Sequence, residues 1–235
     1  MHSFAVALAL QAQGPALPAD GVRFSQQVTM TVTTDYLLSL PEGYDADKSK
    51  KWPLVLFLHG AGERGNDLEK NRVHGPFKEL AKGRKIPAIV IAPQCPTGDS
   101  WSSERMQRAL QGLLDDAERR YRVDRDREYL TGLSMGGFGT WALAMRTSNR
   151  FTALAPICGG GDVSKVTVLK GVPIWTVHGD ADPTVPVQGT RDLVVALRAA
   201  GSKVRYDELP GVQHDSWTQT YAKDEFWDWL LSQKR

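Results

Sequence analysis

The 235-residue chain has only two cysteines, Cys95 and Cys158. That excludes a disulfide framework and any metal site built from several thiolates. Two free core thiols are expected, with a single disulfide left open if the chain is exported. No apolar run approaches the roughly 18 residues of a membrane span. Nor does one sign of charge dominate: 29 Lys and Arg stand against 27 Asp and Glu, with no block long enough to form a nucleic-acid arm. The small basic cluster of Lys82, Arg84 and Lys85 reads as a solvated loop. No internal repeat, low-complexity segment or linker divides the sequence, so one domain is expected over residues 1–235. Its first 24 residues stand apart. Phe4, Val6, Leu8 and Leu10 alternate with alanines, which fits a half-buried strand and part of a leader equally well. The compartment, secreted or periplasmic as against cytoplasmic, stays open with that choice, as does the oligomeric state.

What is present is ample core material, 41% hydrophobic residues, arranged in alternating patterns. Pro53 to Leu58 and Ile86 to Ala92 are continuous apolar runs, the mark of strands buried on both faces. Val28 to Leu40, rich in Val, Thr, Leu and Tyr, predicts one or two further strands. Tyr129–Leu133, Phe151–Ile157, Pro173–Val177 and Lys203–Leu209 read as strands as well. Between them fall helical patterns. Met106, Leu110, Leu113, Leu114, Ala117 and Tyr121 recur at three- and four-residue spacing between Ser102 and Tyr121, with Ser102 or Ser103 available as cap. Gly136–Met145 and Gln188–Ala200 follow the same rule, Gly201 ending the latter, and Thr218–Leu231 predicts a closing helix. Buried strands alternating with helices imply a mostly parallel sheet covered on both faces, an α/β fold.

Within that pattern Gly132-Leu133-Ser134-Met135-Gly136 falls between a strand and a helix. A strand-to-helix turn this tight leaves no room for side chains flanking the serine, and two glycines supply the need. It lifts Ser134 above the sheet edge, near the positive end of the following helix. A serine hydroxyl becomes a nucleophile only when a base takes its proton, and that base must be oriented by an acid. Such folds carry these groups in the order nucleophile, acid, base. His2, His59 and His74 precede Ser134, and His178 precedes the acid candidates. His214, in the loop before the closing helix, is the histidine left for the base. The acid lies in His178-Gly179-Asp180-Ala181-Asp182-Pro183, which offers Asp180 and Asp182. Asp162, after three glycines, and Asp215, a natural helix cap, are weaker choices.

Acyl transfer also needs amides aimed at the developing oxyanion. Met135 N–H, directly after the nucleophile, is one expected donor. The other should come from the loop His59-Gly60-Ala61-Gly62-Glu63-Arg64-Gly65, with Ala61 as the choice. Glu63 and Arg64 are expected to pair and brace it. Phosphate binding by that loop is disfavoured, because no Lys-Ser/Thr follows and no Gly-x-Gly-x-x-Gly occurs. Trp101 and Trp217 lie in loops able to wall the substrate pocket. Cys158 to Gly171 leaves room only for a short loop, so no helical cap is expected over Ser134.

The runs Leu56-Phe57-Leu58-His59-Gly60-Ala61-Gly62-Glu63-Arg64-Gly65, Gly132-Leu133-Ser134-Met135-Gly136-Gly137 and His178-Gly179-Asp180-Ala181-Asp182-Pro183 resemble bacterial carboxylesterases of the α/β-hydrolase superfamily. The nearest labels are predicted peptidase, phospholipase/carboxylesterase-like and dienelactone-hydrolase-like. The likeness spans about Val28 to the C-terminus and implies Ser134 as nucleophile, Asp182 as acid and His214 as base. It implies hydrolysis of a small-molecule or oligomeric carboxylic ester through an acyl-enzyme, at an open site, with no cofactor or metal. The alternatives are a prolyl-oligopeptidase-like peptidase, a feruloyl, aryl or polyester esterase, and a non-catalytic binding protein on the same fold. Retention of every triad candidate argues against the last.

Overall fold

The computed structural model describes Pro18, Asp20, Val22 and residues 31–235. The chain divides into two units, Met1–Thr31 and Val32–Arg235, and every element below belongs to the second. The choice between strand and leader for Phe4–Leu10 lies outside the described residues.

Seven strands form one sheet: β1 (Tyr36–Ser39), β2 (Trp52–Leu58), β3 (Ile89–Pro93), β4 (Val123–Leu133), β5 (Ala153–Ile157), β6 (Trp175–Gly179) and β7 (Arg205–Leu209). Their spatial order is β1-β3-β2-β4-β5-β6-β7. β1 runs antiparallel to β3 and every other pairing is parallel. Helices α1 (Gly75–Ala81), α2 (Glu104–Arg120), α3 (Met135–Arg146), α4 (Gln188–Ala199), α5 (Trp217–Ala222) and α6 (Asp224–Ser232) cover it.

Alternation along β2 shows why both faces must be covered. Leu54, Leu56 and Leu58 enter a core shared with Met106, Leu110 and Leu114 of α2, Trp141 of α3 and Leu193 of α4. Val55 and Phe57 point the other way, into a core with Phe77 of α1, Tyr221 of α5 and Phe226 of α6. A strand with apolar residues on both sides has no face for water, which is why its sequence is one unbroken apolar run. Truncating a side chain such as Phe57 would cost about 3–5 kcal/mol.

The helix predicted from Ser102 runs as expected. Ser103 Oγ accepts the Met106 N–H at 3.1 Å and caps α2, with Glu104 in the first turn and Arg119 and Arg120 in the last opposing the helix dipole. Three expectations need correction. The segment read as one or two strands over Val28–Leu40 gives, among the described residues, only the four-residue edge strand β1. β4 starts six residues earlier than the apolar run from Tyr129, because Asp124 to Glu128 is charged in sequence yet keeps strand form. The closing helix is two helices.

Lys223 takes an extended conformation (φ −77°, ψ 133°) and breaks that helix. The carbonyls freed at the break find donors at once. Trp227 Nε1 donates to Tyr221 O at 2.8 Å, and Arg84 donates to Ala222 O at 2.7 Å and to Asp224. Satisfied this way, the break avoids the cost of orphaned helix ends. Arg84 is therefore a structural tie across the chain, not the solvated loop residue that the basic cluster suggested.

Candidate active site

The turn after β4 carries Ser134 at φ 53°, ψ −118°, a conformation that L residues rarely adopt. Its neighbours explain how the strain is held. A Cβ on Gly136 would stand 1.9 Å from Leu58 O, and one on Gly132 would stand 2.4 Å from Gly136 O. No other residue fits either position. Ser134 N–H still continues the ladder, donating to Ile157 O at 3.0 Å. The first turn of α3 begins at Met135, whose amide has no helix carbonyl behind it to bond.

Beyond the carboxyl ends of β6 and β7, two loops bring the remaining groups to that hydroxyl. Ser134 Oγ lies 2.9 Å from His214 Nε2, and His214 Nδ1 lies 2.7 Å from Asp182 Oδ2. Asp182 Oδ1 accepts the N–H groups of Thr184 at 2.8 Å and Val185 at 2.9 Å. Burial alone would raise the Asp182 carboxyl. The bonds from His214 and the two amides outweigh it and hold the group below the usual carboxylate range. Asp180 turns to other work: its Oδ1 accepts Gly211 N–H at 2.6 Å and ties down the loop that carries His214. Asp215 accepts the Thr218 N–H and hydroxyl, each at 2.9 Å, and caps the first turn of α5. Asp162 binds the Ser164 amide and hydroxyl within its own turn.

The loop after β2 lies over Ser134. Gly60 is close enough that a Cβ there would sit 3.8 Å from Ser134 Cβ, and Ala61 opens the short 3-10 turn Ala61–Glu63 that follows. The expected Glu63–Arg64 pair does not form. Instead Arg64 donates to Ala61 O at 3.0 Å and Asp99 O at 3.2 Å, while Glu63 faces His74 at 3.9 Å. Adjacent residues on a turn point apart, so each braces the loop from its own side.

Two bracing groups escaped the reading of the sequence. Gln94 Nε2 donates to Glu63 O at 2.8 Å and Asp67 O at 2.6 Å. His59, buried at the end of β2, accepts Cys95 N–H at Nε2 (3.0 Å), so its Nδ1 carries the proton and donates to Gly60 O at 2.6 Å. Burial lowers His59 to about 4, which keeps that tautomer neutral. A histidine directly after a buried strand and before glycine was the available signal.

Trp101 does not wall a pocket. It is fully buried, packs edge-on against His59 at 4.9 Å between ring centroids, and donates from Nε1 to His59 O at 2.9 Å. A large aromatic with one N–H gains most where both apolar body and donor are satisfied, here beneath the loop. Trp217 is also largely buried, but its ring meets His214 edge-on at 5.0 Å and His74 at 5.4 Å, backing the imidazole of the candidate base.

Both cysteines are buried free thiols, and burial pushes each up to about 12. Ligand atoms of Cys158, Asp182 and His214 lie within 4.8 Å of one another, the one such grouping among the described residues. Asp182 and His214 already bond each other, and the Cys158 thiol holds its proton, so the set is not arranged as an ion's cradle. Between β5 and β6 the chain forms only a four-residue 3-10 turn, Val166–Leu169, and no helical cap.

A strand, a strained serine turn and a helix, with later loops bringing an acid and a histidine to the serine on a mostly parallel sheet, define the α/β-hydrolase class. The chain belongs to the dienelactone hydrolase family, whose profile it matches over residues 85–225. It is 27% identical over 164 residues to "Probable feruloyl esterase C" of Aspergillus terreus (strain NIH 2624 / FGSC A1156), covering 66% of this chain and 57% of that protein. It is 30% identical over 139 residues to a bifunctional acetylxylan esterase/xylanase of Neocallimastix patriciarum, covering 58% of this chain and 20% of that one. Among solved structures, that of a thermostable esterase is 40% identical with a TM-score of 0.77, covering 85% of this chain and 59% of that one. The chain thus spans less than two thirds of the length of each of these relatives.

Proposed function

We propose that the chain is a serine carboxylesterase in which Ser134, His214 and Asp182 act as nucleophile, base and acid. The observation that carries this reading is the unbroken line Ser134 Oγ–His214–Asp182, at 2.9 and 2.7 Å. With its proton on Nδ1, facing Asp182, His214 presents a bare Nε2 to the serine hydroxyl. Ser134 Oγ attacks the ester carbonyl as Nε2 takes its proton, and the Met135 and Ala61 amides receive the oxyanion. Collapse expels the alcohol with the proton from His214. Water then repeats the cycle on the acyl-serine and releases the acid. No step calls for a metal or organic cofactor.

An aromatic acyl group is the finer reading. Relatives named as feruloyl esterases support it. Absence of a helical cap in the segment between β5 and β6 suits esters on bulky or oligomeric alcohols. The test is turnover of short p-nitrophenyl esters, methyl ferulate and a peptide anilide by wild type and Ser134→Ala. Ester turnover is expected from wild type, with loss of about 10⁶-fold in kcat for the variant. Turnover that survives in Ser134→Ala refutes the mechanism. Faster cleavage of the anilide than of either ester makes the protein a peptidase.

A further inference from the structure

Asp182 serves two histidines. Its Oδ2, 2.7 Å from His214 Nδ1, is also 3.2 Å from Nε2 of His178, the fully buried residue on β6 four positions earlier. His178 Nε2 lies 3.0 Å from Val185 O as well, and Nδ1 lies 2.7 Å from Thr190 Oγ1 on α4. A lone pair on Nε2 would face two acceptor oxygens, so a neutral ring must carry its proton there. Thr190 Oγ1 donates to Gly159 O at 2.8 Å, so its one proton is shared between that carbonyl and Nδ1. Burial lowers His178 from its ordinary value, and the nearby His214 lowers it further, against the opposing pull of Val185 O and Asp182. Burial thus disfavours the charged ring, while the two acceptor oxygens hold a proton on Nε2.

We propose that His178 is a positioning residue of the triad: its Nε2–H and the Nδ1–H of His214 share one carboxylate oxygen, which fixes the carboxylate's rotation and tempers its hold on the base. This rests on the assignment of Asp182 and His214 as acid and base. A second donor on Oδ2 draws charge from the bond to His214, so the imidazolium formed during reaction is held less tightly than by a carboxylate devoted to it. The donor also closes the last free direction about Asp182, whose Oδ1 is taken by two amides. Neighbouring charges are engaged elsewhere. Glu208, the register partner of His178 on β7, is bound by Arg191 of α4 at 2.6 Å and by Tyr206 at 2.6 Å. Asp215 is spent on Thr218, the Cys158 thiol is protonated, and His74 with Glu63 lies behind Trp217.

The test compares His178→Leu, which removes the donor, with His178→Gln, which keeps an N–H near the Nε2 position. In His178→Leu, kcat is expected to fall about tenfold, a fraction of the ~10²–10⁴ that a general base contributes, with KM within about twofold. The acidic limb of kcat/KM should move to higher pH, since a carboxylate freed of its second donor holds the protonated base more firmly. The low-field proton resonance of His214 Nδ1–H should move further downfield. His178→Gln should restore all three toward wild type. If His178→Leu does not fold, Thr190→Val carries the comparison with His178→Gln, because loss of the hydroxyl releases the tautomer and should move the same readouts. Unchanged kcat and an unmoved acidic limb overturn the proposal, and so does a glutamine variant no better than leucine. Because the proton resonance needs no turnover, it distinguishes failure here from failure of the esterase mechanism, which would appear as turnover persisting in Ser134→Ala.

Discussion

The two ends of β4 are built on opposite terms. At its carboxyl end the chain enters Ser134 in a strained conformation, crowded by backbone and bonded to His214 and through it to Asp182. Where its polar amino-terminal half closes, buried Glu128 meets Arg150 at 3.1 Å, and Arg150 reaches on to Glu118 and to Asp115 at 2.6 Å. Arg235 joins the same end through Asn149 O and Arg125 O. On the proposed function one end holds the reacting groups, and the other uses charge only to fasten β4, α2 and the start of β5. The lesson is that clustered ionisable groups do not by themselves mark a reactive site. Backbone strain beside a bonded acid and base is the better guide.

Substitutions at the two ends should separate these roles. Largest is Ser134→Ala, with its loss of about 10⁶-fold in kcat. Next, Asp182→Asn should lower kcat by about 10⁴-fold through the wrong histidine tautomer. Asp180→Asn can still accept Gly211 N–H and should lose far less; equal losses would blur the distinction between acid and loop tie. At the other end, Arg150→Met strips the partner from a buried carboxylate. It should cost about 3 kcal/mol, roughly 6–12 °C in Tm for a chain of this size, while kcat/KM for a p-nitrophenyl ester stays at the wild-type value. Loss of activity at a temperature where the variant is fully folded would break the contrast. Ser134→Gly should abolish turnover yet stabilise the fold by about 1 kcal/mol, as glycine accepts the strained turn; a lower Tm would show that the strain is not stored there.

The smallest effect is in pH dependence. Burial is the leading cause that raises Glu128 from 4.5 to about 7. Its protonated form favours the folded state, so its contribution is complete below about 4.5 and is lost as pH rises through about 7. Asp182 has the opposite sign. Its lowered carboxyl contributes above 3.8 and loses that contribution as pH falls through the folded value. Melting of Glu128→Gln against wild type should therefore flatten the decline between pH 5 and 8, by about 1 kcal/mol or some 3 °C. A curve that keeps its wild-type slope there would remove Glu128 from the account.

Most of the sheet was legible because its central strands are apolar on both sides, as with Leu54 to Leu58. α1 was not, since seven residues carrying only Phe77 and Leu80 as large apolar side chains show no period. The early part of β4 was hidden by its charges, and the Lys223 break depends on Arg84, 139 residues away in sequence. At the site, Ser134 was legible from local sterics, and His214 from order along the chain. Asp182 over Asp180 was not a matter of spacing: the two differ by which way the loop after β6 turns, a tertiary property. Trp101 was misread for the same reason, because a loop residue in sequence can be a core residue once a helix packs over it. His178 was set aside as a base, and only its neighbours show what it bonds.

Ser134 follows β4 and His214 follows β7, with β5 and β6 between those strands in the sheet. The 2.9 Å contact between them therefore exists only after three further strands have docked in order, the last at the sheet's edge. Esterase turnover would then double as a readout of completed assembly. An intermediate with β2 to β5 in place holds the serine turn but has no base, so regain of activity during refolding should lag the burial of Trp101 and Trp141 in the centre and coincide with the docking of β7.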